Sequence, residues 1–98
     1  MISIEEFLKL KDSGTVPDDI PSLLQSLLLD AAGDWDSAHG IAQKEINNEG
    51  AWVHAYLHRK EGDLLNASYW YRVAGKSMPE LSLEEEWEYI AMALLEKS

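Results

Sequence analysis

Cysteine is absent from all 98 residues, which excludes disulfides, thiol nucleophiles and thiolate metal sites and fits a reducing compartment. Basic residues are scarce: eight Lys and Arg against eighteen Asp and Glu give a formal net charge of −10. A surface of that sign repels phosphate, so neither nucleic acid nor a membrane surface is an expected partner. Long apolar runs are missing too. None, neither Leu27-Leu28-Leu29 nor the stretch from Tyr89 to Leu95, approaches the roughly 20 residues that a membrane helix needs. The opening Met1-Ile2-Ser3-Ile4-Glu5-Glu6 has neither the basic start nor the apolar stretch of a signal peptide. A cytoplasmic protein is expected. No Gly-x-Ser-x-Gly elbow, dinucleotide-binding glycine motif or phosphate-binding P-loop occurs, and no nucleophile–base pairing is legible, so the reading leans away from an enzyme and assigns no catalytic residue.

What is present is a core and clear helix punctuation. The chain is 46% hydrophobic and carries four Trp and four Tyr, enough for residues 1–98 to form one all-α domain around a core of its own. Ser3 with Glu6 forms a capping box for a first helix ending near Lys11, with Gly14 beyond it. Asp18 or Asp19 is expected to cap a second helix, with Pro21 in its first turn and an apolar stripe of Ile20, Leu23, Leu24, Leu27, Leu28 and Ala31. Gly33 stops it and Asp34 caps a third helix, Trp35 to about Ile46. Asn47-Asn48-Glu49-Gly50 reads as a break, and a fourth helix is expected over 51–61, closed by Gly62. Asp63 caps a fifth over 64–74, closed by Gly75, and Ser82 with Glu85 boxes a last helix over 82–97. The Glu84-Glu85-Glu86 run reads as its solvated first turn, favoured by the helix dipole. Nothing alternates at period two, so strands are not expected. The prediction is a compact array of five to six antiparallel helices.

Gly33-Asp34 with Ala38 is echoed by Gly62-Asp63 with Ala67. In residues 51–79, Ala55, Gly62, Ala67, Tyr71, Ala74 and Pro79 fall where a tetratricopeptide-type or Sel1-like repeat places its small residues, turn glycine, aromatic and proline, and the segment resembles one such helical hairpin. That resemblance implies a rigid hairpin with the flanking helices as caps. The runs Ala38-His39-Gly40-Ile41-Ala42-Gln43, Trp52 to Asp63 and Asn66 to Tyr71 together are similar to a family of small uncharacterised helical proteins, a resemblance that implies no activity.

Candidate chemistry gathers in the middle third. His54 and His58 are one helical turn apart, about 5–6 Å between Cβ atoms, a spacing that suits two imidazole ligands of one zinc-like ion. Glu61 lies one turn further on and offers a third ligand or a base. His39, at the margin of the third helix's stripe, can converge on them. The bland alternative is core histidines bonded to a carbonyl, a Tyr hydroxyl or Asn66. The glutamate of the HExxH zinc-hydrolase motif is missing, since Ala55 stands in its place. Arg59, Lys60, Arg72 and Lys76 form a local cationic stretch, read either as a site for a small anionic ligand or as a solvated face paired to Glu61 and Asp63. Asn66 either contacts a ligand or braces the turn. Tyr69-Trp70-Tyr71 spread too far around a helix to share one core, so Tyr71 belongs in the hairpin, Trp70 reaches a neighbouring helix, and Tyr69 beside Arg72 is a candidate anchor for a partner.

The leading expectation is a non-enzymatic interaction or small-ligand module whose surface comprises His39, His54, His58, Arg59, Asn66, Tyr69 and Arg72, without a resident cofactor. One alternative is a metal or acid–base site on His39, His54, His58 and Glu61, with zinc or a similar divalent ion. The other is a module whose role is to form a homodimer.

Overall fold

The computed structural model describes residues 2–97. Six helices carry the described chain: α1 Ile4–Ser13, α2 Ser22–Ala31, α3 Trp35–Lys44, α4 Asn48–Glu61, α5 Leu64–Val73 and α6 Leu83–Lys97. No strand occurs among the described residues. Both expected capping boxes form. The Ser3 hydroxyl accepts the Glu6 N–H while the Glu6 carboxylate accepts the Ser3 N–H, and Ser82 and Glu85 exchange the same pair of bonds.

Three boundaries differ from expectation. Helix α2 starts at Ser22 with Pro21 at its cap and no side-chain capping bond, so neither Asp18 nor Asp19 performs that role. Helix α3 stops at Lys44, leaving Ile46 97% exposed. The expected break at 47–50 is the start of α4: the Asn47 side chain accepts the Gly50 N–H at 2.7 Å, so this polar cluster caps a helix and supplies its first turn. Gly50 is required there by close approach. A Cβ at that position would lie 2.1 Å from the Glu45 carbonyl oxygen, so the α3–α4 corner closes only around a glycine.

Helix α4 is the axis of the array. It packs on α2, α3, α5 and α6, while α1 lies against α2 and α6, and every residue from Gly50 to His58 is buried. Alanines set the spacing: Ala38 and Ala42 on α3, Ala51 and Ala55 on α4, and Ala67 on α5 are all buried, and side chains of this size let neighbouring helices approach closely. On the other side of α4, Leu24, Leu27 and Leu28 of α2 join Phe7, Trp87 and Ile90 in the apolar core. Phe7 stacks on Trp87, whose indole donates to the Leu27 carbonyl at 2.9 Å. Among the described residues no helix is long and apolar enough to cross a membrane.

In the basic stretch Lys60, Arg72 and Lys76 are exposed, but Arg59 is half-buried, and Arg59 and Lys60 pair with Glu86 and Asp30 rather than with Glu61 and Asp63. The acidic run at the start of α6 is not all solvated. Glu86 is 1% exposed. It accepts hydrogen bonds from Arg59 at 2.8 Å, from the Tyr71 hydroxyl at 2.7 Å and from the Trp52 indole at 3.4 Å. Arg59 also donates to the Leu81 carbonyl. Lys60 pairs with the buried Asp30 at 2.9 Å, where the Tyr56 hydroxyl donates as well. Burial and the adjacent carboxylate push both Tyr56 and Tyr71 well above the usual phenol range, so each stays a hydrogen-bond donor.

Candidate functional site

The three histidines meet. His39 comes from α3, and His54 and His58 come from one face of α4. The His39 and His54 Nε2 atoms are 2.9 Å apart. Ring centroids are separated by 4.6 Å for His39 and His54, 4.8 Å for His54 and His58, and 5.1 Å for His39 and His58. One candidate ligand atom from each ring lies within 4.8 Å of those of the other two. His54 and His58 are buried at 6% and 7% exposure, and His39 is half-buried.

Local sequence chemistry fixes each ring. Gly62 takes the left-handed conformation, φ 91°, that closes α4 immediately after His58 and Glu61. Glu61 then folds back one turn and its carboxylate meets His58 Nδ1 at 2.6 Å. With Nδ1 engaged by Glu61, Nε2 is the His58 nitrogen free of that ion pair. His39 stacks on Trp35, 4.8 Å between centroids and 11° between planes. The Trp35 indole donates to the Leu57 carbonyl at 2.8 Å, which holds that wall in place between α3 and α4. His54 stacks on Trp70 of α5 at 4.1 Å. The two tryptophans and Glu61 therefore brace one imidazole each. A carboxylate behind a ligating ring orients it and raises its basicity, a common companion of metal-bound histidine.

The electrostatics favour the uncharged form of two of the rings, His54 and His39. Burial first, and then the charges of His39 and His58, push His54 down to about 4. Burial and the neighbouring His58 also lower His39, against weaker upward pulls from Glu61 and Asp36. Two Nε2 atoms at 2.9 Å require one ring to donate and the other to accept. Moving the donor's proton to its own Nδ1 would free both lone pairs without any loss of charge. Nitrogen ligands of a tetrahedral zinc ion stand roughly 3.3 Å apart at Zn–N distances of about 2.0–2.1 Å, so the His39–His54 pair needs to open by only a few tenths of an ångström.

The other candidates sit elsewhere. Arg59 is spent on Glu86 and Leu81. Asn66 donates its side-chain amide to Asp63 at 3.2 Å and braces the turn that Asp63 caps. Tyr69 is 54% exposed and meets the edge of Trp70 at 5.1 Å, which places it on the outer rim of the cluster. Arg72 is exposed on α5. Trp35, Trp70 and the buried Glu86 were not among the expected site residues. A cleft of about 300 Å³ reaches His54 and Trp70 from the corner of α3, α4 and α5, bounded by Gln43, Ile46 and Val73. Comparison of the chain with protein-family models, curated proteins and solved structures gave no match in any of the three.

Proposed function

We propose that this protein is a metal-binding helical module that takes one zinc-class divalent ion on His39, His54 and His58, with Glu61 orienting His58. The carrying observation is the convergence of three imidazoles whose ligand atoms lie within 4.8 Å of one another, two of them from buried side chains. Buried polar groups normally meet partners of opposite character. Here three like rings face each other, and a cation is the ligand that all three lone pairs can share. An all-imidazole donor set suits zinc, copper or nickel and does not suit magnesium or calcium, which require oxygen. Because such an ion binds the native state, excess zinc should raise stability, by about 2.7 kcal/mol at a free concentration of about 100 times Kd. Thermal unfolding with and without zinc reads this, with magnesium as the control. An unchanged midpoint at saturating zinc would reduce the cluster to a packing feature.

A second reading concerns the outer face of α5. Helix α5 packs on α4 and reaches α6 through the Tyr71 side chain, and it exposes Leu65 at 88%, Tyr69 at 54% and Val73 at 46%, one turn apart along one face and beside Arg72. This stripe supports the interaction role for Tyr69 and Arg72, presented on the repeat-like hairpin of α4 and α5. Pulldown with wild type and with a Tyr69→Ala/Arg72→Ala double variant tests it, and identical captured proteins would remove the reading.

A further inference from the structure

We infer that the three-imidazole centre is open, and that a metal bound there takes its fourth ligand from outside the chain, a small anion or a water admitted by the cleft beside Gln43. The inference rests on the metal-binding reading above and follows from where the neighbouring donors are already committed. Glu61 is turned to His58 Nδ1. Asp63 accepts both the backbone and the side-chain N–H of Asn66. The metal-competent group that contains all three rings has no fourth member among the described residues. Structural zinc sites close their tetrahedron with protein ligands, whereas three protein ligands and one exchangeable position mark a site that binds or activates something.

The cleft approaches the cluster from the His54 side. Trp35 covers His39 and Trp70 covers His54, while Glu61 stands behind His58. The cleft at the α3–α4–α5 corner reaches His54 at its floor. Gln43 lies one helical turn beyond His39 on α3, is exposed, and lines this cleft, so it borders the space such an anion would occupy. With about 300 Å³ of space, Glu45 as an acidic lining residue and no Lys or Arg among the others, the cleft has room for an anion of a few atoms but does not itself attract one, which leaves the metal as the attracting charge.

Cobalt(II) replaces zinc as a visible probe, and azide serves as the anion. Cobalt should bind in ratio one to the chain and give the intense d–d absorption of a four-coordinate site. Azide should then shift those bands saturably. A Gln43→Trp variant, made at an exposed position to fill the cleft, should retain the cobalt bands and lose the azide shift. If cobalt gives no bands, the metal-binding reading itself falls. If cobalt binds but saturating azide leaves its spectrum unchanged, the centre is closed and the open-site inference falls alone. If Gln43→Trp binds cobalt and responds to azide as wild type does, the access route through this cleft is overturned.

Discussion

Around Glu86 each buried donor meets an acceptor of opposite character, whereas around His54 three identical rings face one another. The carboxylate of Glu86 receives a guanidinium, a phenol and an indole, so its needs are met inside the chain and it joins α4, α5 and α6. The imidazole cluster has comparable burial and comparable bracing, from Trp35, Trp70 and Glu61, yet its centre gathers lone pairs with a single shared proton. A saturated network contributes to the fold and asks for nothing further. A convergence of like groups, each braced from behind, is what the proposed metal site rests on.

Removing one partner from each cluster should expose that difference. Glu86→Ala leaves the Arg59 guanidinium, 16% exposed, without its carboxylate. Breaking such a buried pair costs about 3–5 kcal/mol, read by urea unfolding, and it should leave no zinc-dependent component. Acid provides the next largest effect. His54 is held at about 4 against an ordinary 6.5, so between those values the unfolded chain takes up a proton that the folded chain refuses. Its contribution is therefore complete above about pH 6.5 and is lost as pH falls towards 4, about 3 kcal/mol in all. Urea midpoints followed across that window should fall in wild type and fall less in His54→Phe. Zinc stabilisation comes third: His54→Ala should abolish the increment of about 2.7 kcal/mol expected at about 100 times Kd, although Glu86 and its partners are untouched. Smallest in stability is Glu61→Gln, within about 1 kcal/mol because the pair is partly exposed, while zinc affinity should drop about ten- to a hundredfold. A Glu61→Gln variant that binds zinc as wild type does would remove the orienting role.

The helices were legible wherever a local rule decides them. Ser3 with Glu6, Ser82 with Glu85, and the glycines after α1, α4 and α5 marked ends that the structure places within a residue or two. The start of α4 was hidden because Asn47-Asn48-Glu49-Gly50 has turn composition. The cap forms where the Glu45 backbone, just past the end of α3, lies against Gly50, a close approach that composition does not encode. The same distinction holds at the site. The His54–His58 spacing follows from helical geometry alone, but whether His39 reaches them depends on how α3 crosses α4, and the stacking of Trp35 and Trp70 depends on side-chain direction. Glu86, expected in a solvated first turn, carries a positional signal of its burial. It sits one turn after Leu83 and one turn before Ile90, on the buried side of α6, so its position on the wheel separates it from Glu84 and Glu85 despite identical chemistry.

The central claim is that His39, His54 and His58 act as one ligand set. The most direct test is a zinc titration followed through the imidazole ¹⁵N resonances. One equivalent of zinc should move one ring nitrogen of all three histidines together, with saturation at one ion per chain. Rings that stay unperturbed, or that respond separately at different zinc levels, would contradict the account.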